Sequence, residues 1–99
     1  EVDEGDEIAK ALGDKKVAIL QNHGILTTGP SVDIALWFYM SMERCCQAQL
    51  MAEAAGKPIS VSHETAVKTR EFIANDIAAW ASYQPAFDKI VKMQPDLLD

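Results

Sequence analysis

Apolar residues recur along the chain first at helical spacing, then as two short unbroken runs, then at helical spacing again to the end. Ile8, Ala11 and Leu12 follow acids at Glu4, Asp6 and Glu7, and Gly13 stands where a helix commonly stops. The spacing predicts a short amphipathic helix over residues 4–12. Val17-Ala18-Ile19-Leu20 is continuous rather than alternating, which predicts a central strand covered on both faces. After Gln21-Asn22-His23-Gly24, strand character resumes at Ile25-Leu26-Thr27-Thr28 and is broken by Gly29-Pro30. The polar quartet therefore sits at a tight connection between two buried strands.

Ser31 is a good N-cap, Pro30 fixes the approach to it, and neither Gly nor Pro occurs between Val32 and Ala55. This predicts one helix of about 36 Å at 1.5 Å per residue. Its first half, Ile34 to Met40, is apolar all round and should be enclosed on most sides. Polar residues such as Glu43, Arg44 and Gln47 enter from Ser41 onward, so the helix runs from core towards surface or a partner chain. Pro58-Ile59-Ser60-Val61 reads as an extended connector, and Ser62 caps a helix over Glu64 to about Asn75 with Ala66, Val67, Phe72 and Ile73 as its stripe. Asp76 to Tyr83 is helical or turn-like, and Pro85 in a first turn begins a final helix that ends near Gln94-Pro95-Asp96.

Nine Lys and Arg against fifteen Asp and Glu leave no basic cluster for a phosphate backbone, so nucleic acid is not an expected partner. The longest strongly apolar run covers Ile34 to Met40, far short of the roughly 20 residues of a membrane span, so no membrane insertion is expected. Cys45 and Cys46 are adjacent in a helical pattern, where neighbouring side chains diverge too far for an easy mutual disulfide. A reducing, cytoplasmic compartment is the expectation. The chain opens on Glu1 rather than Met, which leads us to expect a piece of something longer.

Chemistry needs convergent side chains, and a catalytic zinc commonly takes three protein ligands plus water. The two histidines are His23 and His63. His63 follows a helix cap and reads as solvated. His23 leaves the end of a buried strand beside Gly24, which permits positive φ, with the Asn22 amide next to it. On pattern alone a structural histidine in a hairpin is favoured over a ligand, because no second ligand stands at metal spacing. Gly24 to Gly29 lacks the Lys-Ser or Lys-Thr ending of a phosphate loop and reads as two turn glycines flanking a strand.

The run from Leu12 to Gly29, with its apolar strand and Asn22-His23-Gly24 turn, followed by Ser31-Val32-Asp33 and the aromatic long helix with Glu43 midway, resembles the class II aldolase/adducin family. The likeness is strongest from Leu12 to Gly56, continues through Lys68, and is weaker afterwards. It implies an α/β fold: the C-terminal part of an α/β/α layered domain with a mostly antiparallel sheet, helix-rich after the strand pair, with residues 1–99 as that part and the N-terminal part absent.

In the enzymatic branch, the resemblance implies a divalent metal, usually zinc, held by three histidines. The last of these matches His23, with Asn22 and Gly24 supporting it. The other two, and the acid–base Glu, lie upstream in the family, so these 99 residues alone should lack catalysis. The whole protein would then be a metal-dependent lyase or epimerase acting on a small sugar-phosphate-like or keto/hydroxy acid substrate. It would assemble as a homo-oligomer, a tetramer by family likeness, with Trp80 and Tyr83 as candidates for a cover over the site. The other branch implies an adducin-like, non-catalytic protein-binding head domain in which the fold is kept and the metal ligands are lost.

Overall fold

The computed structural model describes residues 2–99; Glu1 lies outside them. Seven elements follow in order: α1 (Val2–Leu12), β1 (Val17–Leu20), β2 (Gly24–Thr27), α2 (Val32–Ala55), α3 (His63–Ile73), α4 (Asp76–Met93) and a closing 3-10 turn (Pro95–Leu98). Among the described residues no helix is long and apolar enough to cross a membrane. The chain is a helix-rich α/β arrangement around a two-stranded antiparallel sheet.

The helix boundaries follow local chemistry. Gly13, at φ 54°, ends α1 and its amide closes on the Ala9 carbonyl at 3.0 Å, a left-handed cap that glycine adopts without strain. The Ser31 hydroxyl accepts from the Ile34 amide at 3.4 Å, the Ser62 hydroxyl from the Thr65 amide at 3.2 Å, and the Asn75 side-chain oxygen from the Ala78 amide at 2.9 Å. Each cap satisfies an amide that its helix leaves without an internal partner.

The core is small. Ile34 and Phe38 on one face of α2 meet Ala79 of α4, which is wholly buried, and Val17, Trp37 and Ala74 pack around them. A methyl side chain at Ala79 lets the two helices approach closely. At Gly29 a Cβ would stand 2.9 Å from Ile34 Cγ2 and 3.1 Å from the Ala35 amide nitrogen. The loop into α2 is therefore pressed against that helix's first turn.

Three expectations about burial are corrected. β1 pairs with β2 alone, and Ile19 is 65% exposed, so Val17–Leu20 is not covered on both faces by the described residues. The all-round apolar half of α2 buries Ile34 and Phe38 but leaves Leu36 and Tyr39 exposed, because α4 and β2 cover one side of it. The stripe expected on the third helix also differs: α3 buries nothing, and Phe72 and Ile73 are exposed.

Pro85 does not begin a final helix either. It lies inside α4, which runs unbroken from the Asn75 cap. Proline removes one backbone donor, here the partner of the Ala81 carbonyl. Ala81 and Pro85 are both exposed, so water can serve that carbonyl.

Candidate functional site

The polar quartet forms the turn of a β-hairpin. Val17 pairs with Thr27, Ala18 with Leu26, Ile19 with Ile25 and Leu20 with Gly24, leaving Gln21, Asn22 and His23 as the loop. The His23 amide donates to the Leu20 carbonyl at 3.1 Å, closing a turn whose third residue is Asn22 at φ 62°. A positive φ at that position is the signature of a type II turn, and Asn is among the few side chains that accept it. Gly24 at φ 151° then returns the chain to the strand. Positive φ is thus needed at Asn22 as well as at Gly24, where the sequence pointed to it.

The open end of the hairpin is fixed at several points. The Thr28 amide donates to the Lys16 carbonyl at 2.9 Å, and the Thr27 hydroxyl donates to the Ala35 carbonyl of α2 at 2.9 Å. The Lys16 ammonium donates to the Ala74 carbonyl at 2.7 Å, stands 3.5 Å from the Asp76 carboxylate, and lies over the Phe38 ring at 4.8 Å from its centroid. By contrast, all residues from Gln21 to Gly24 are exposed.

His23 borders an open groove of about 400 Å³ between the hairpin and α1, where Glu4 and Glu7 stand on the opposite wall. These carboxylates were not singled out from sequence; their spacing of three on a short helix, which sets both on one face, is the signal that could have found them. The His23 ring makes no hydrogen bond among the described residues, and the Asn22 amide does not orient it.

The other chemistry-bearing residues lie elsewhere. His63 opens α3 and is exposed. Cys45 and Cys46 are free thiols in a groove with Ile19, Met42 and Leu50. Trp80 is half-exposed, and Tyr83 packs against Phe87 with ring centroids 6.4 Å apart. Neither lines the His23 groove, so within this chain they form no cover over it.

Among the described residues no group of three or more His, Cys, Asp or Glu converges. An imidazole with free ring nitrogens is the right donor for a zinc-like ion, so the chemistry at His23 fits a metal while the number of donors does not close a site.

A helix-rich α/β arrangement built on this hairpin and long helix gives the class of protein, and the comparison with known sequences gives the family. The sequence model described as Class II Aldolase and Adducin N-terminal domain matches residues 1–50. The chain belongs to the class II aldolase/adducin family. It is 39% identical over 95 residues to the decarboxylase NovR of Streptomyces niveus, covering 96% of this chain and 35% of that protein. It is 37% identical over 95 residues to the 4-hydroxy-3-prenylphenylpyruvate oxygenase/4-hydroxy-3-prenylbenzoate synthase of Streptomyces roseochromogenus, covering 96% of this chain and 34% of that protein. A third relative, the meiotically up-regulated gene 14 protein of Schizosaccharomyces pombe, is 39% identical over 88 residues, with 86% of this chain and 34% of that protein covered.

The chain therefore spans about a third of the length of these relatives. The likeness, thin in motif terms after Lys68, extends to them over nearly the whole chain. No solved structure matches.

Proposed function

We propose that this chain is the C-terminal part of a class II aldolase-like domain in a metal-dependent lyase that breaks or forms a bond beside the carbonyl of a small keto or hydroxy acid. The enzyme names of two relatives support the catalytic branch, and one of those names specifies an arylpyruvate, a 2-oxo acid. A sugar-phosphate-like substrate, and an epimerase outcome, are the wider alternatives that the family allows. The observation that carries the reading is His23: an imidazole without a hydrogen-bond partner among the described residues, at the tip of a hairpin whose turn takes positive φ at Asn22 and Gly24.

In this reading His23 is one ligand of a divalent metal, zinc or a similar ion, and the remaining ligands and the acid–base carboxylate come from outside these residues. Such a metal would polarise a carbonyl or hydroxyl oxygen of the substrate as a Lewis acid. The chain's own contribution is to present the imidazole without rotation of the turn, which spares reorganisation when the site closes. Assembly as a homo-oligomer, with a neighbouring subunit completing the site, belongs to the same proposal.

The test is His23→Ala in the protein that carries this sequence, read as bound metal per chain and as thermal stability. Loss of stoichiometric metal is expected, with the melting temperature of the metal-free protein unchanged, because the side chain is exposed. Unchanged metal content would remove the ligand assignment, and a native protein that binds no metal at all would favour the adducin-like binding module instead.

A further inference from the structure

The hairpin is anchored at one end and free at the other. Its root, at Lys16 and Thr27–Thr28, is tied to α2 and to the junction of α3 with α4, whereas its tip, which carries His23, touches little. The strand between them, Val17–Leu20, is only four residues, about 13 Å at 3.3 Å per residue. In such a lever, the place of the tip is decided by the angle of the root.

Among the described residues, the side chain that reaches from the root to α2, α4 and the end of α3 is that of Lys16. Its ammonium bonds the Ala74 carbonyl at the end of α3, faces Asp76 in the first turn of α4, and rests on the ring of Phe38, which is buried on α2. A carbonyl, a carboxylate and an aromatic face surround one ammonium, so its direction is defined from three sides. The Lys16 side chain, although 44% exposed, therefore has three partners, where a surface lysine commonly has one or none.

We propose that Lys16 is a positioning residue for His23: by locking the root of β1 to the α2–α4 pair, it sets where the imidazole stands relative to the rest of the site. The inference rests on the reading of His23 as a metal ligand, but the placement of the ring can be measured without metal. Neighbouring Lys15 lines the same cavity beside Phe38 yet enters no ion pair among the described residues, so the role belongs to Lys16.

The experiment compares Lys16→Met, Lys16→Arg and, as a surface control, Lys68→Met in the protein that carries this sequence. Lys68 pairs with Glu64 along the outside of α3, where both side chains are largely exposed. Methionine keeps the apolar stem and removes the charge, whereas arginine can bond both oxygens and stack on the ring. Two quantities are read well below the melting temperature: the NMR signals of the His23 ring without metal, and metal affinity by titration.

For Lys16→Met we expect displaced or doubled His23 ring signals and metal affinity weakened by about tenfold, the lower end of what lost supporting contacts cost a metal site. Lys16→Arg should restore much of both, and Lys68→Met should change neither. His23→Ala is measured in parallel. If it abolishes metal binding while Lys16→Met leaves ring signals and affinity at the native values, the positioning role is overturned and the ligand reading stands. If His23→Ala leaves metal untouched, the ligand reading fails, and the metal-free ring signals decide the positioning claim alone. Should Lys16→Met not fold, Asp76→Asn removes one side of the cradle and is expected to move the same signals by a smaller amount.

Discussion

Gln84 and Asp33, 51 residues apart in the chain, meet where α4 crosses the start of α2: the Gln84 amide nitrogen donates to the Asp33 carboxylate at 2.9 Å. The same nitrogen donates to the Trp80 carbonyl at 3.1 Å, one turn earlier on α4. Both side chains belong to half-buried residues, and the tie joins α4 to the first turn of α2, next in sequence to the core residue Ile34. Loss of the amide in Gln84→Ala is expected to lower stability by about 1–2 kcal/mol. Gln84→Glu, which faces one carboxylate with another, should cost more. Urea midpoints of the two variants against the native protein give the order, and equal midpoints for all three would show that the contact contributes nothing.

The hairpin turn offers a backbone test. Asn22→Gly should be nearly neutral, because glycine takes φ 62° without strain. Asn22→Val should lose about 1–2 kcal/mol, the cost of a left-handed backbone for a side chain that disfavours it. Thermal unfolding separates the two; a valine variant as stable as the glycine variant would mean that the turn relaxes to another conformation.

At Gly29 the constraint is space rather than dihedral angle. Gly29→Ala places a methyl group 2.9 Å from Ile34 Cγ2 and 3.1 Å from the Ala35 amide nitrogen, and the helix backbone cannot yield as a side chain can. We expect a loss of about 1–3 kcal/mol, in the range of overpacked cores. Because Ala35 also accepts the Thr27 hydroxyl, amide exchange in β2 should rise in this variant.

Phe38 and Phe72 make a matched pair of the same residue type. Phe38 is 8% exposed in the core and Phe72 is 81% exposed on α3. Phe38→Ala should cost about 3–5 kcal/mol, enough to unfold a domain with so small a core, whereas Phe72→Ala should stay within about 0.5 kcal/mol. Circular dichroism during denaturant titration reads both, and a large effect at Phe72 would show that its face is covered in the whole protein.

The parts of the fold legible in the sequence are those with punctuation. Pro30-Ser31 and Gly56 bracket α2 to the residue, and Gly24 with Gly29-Pro30 brackets β2 closely. The single helix through Pro85 was hidden because the local signal for a break is strong, while the forces that keep α4 whole are distant: burial of Ala79 against α2 and the Gln84–Asp33 contact. The covering of Val17–Leu20 is not supplied by the described residues, because a run of apolar residues reports what a strand needs rather than where the cover comes from. The turn that carries His23 was legible through Asn22 and Gly24, whose residue types suit the positive φ found at both. The cradle around Lys16 was not, since its partners lie at positions 38, 74 and 76 and no local pattern joins them.

The adjacent thiols of α2 bear on how the protein keeps. Cys45 and Cys46 sit about 100° apart around the helix axis, and Cys45 is exposed while Cys46 is half-buried. Two sulfurs so placed do not close on each other. In a sample stored in air, the exposed thiol of Cys45 is therefore expected to be oxidised first, giving disulfide-linked pairs through residue 45 that non-reducing electrophoresis would detect. Cys45→Ser removes that route of spoilage and leaves the packed sulfur of Cys46 in place.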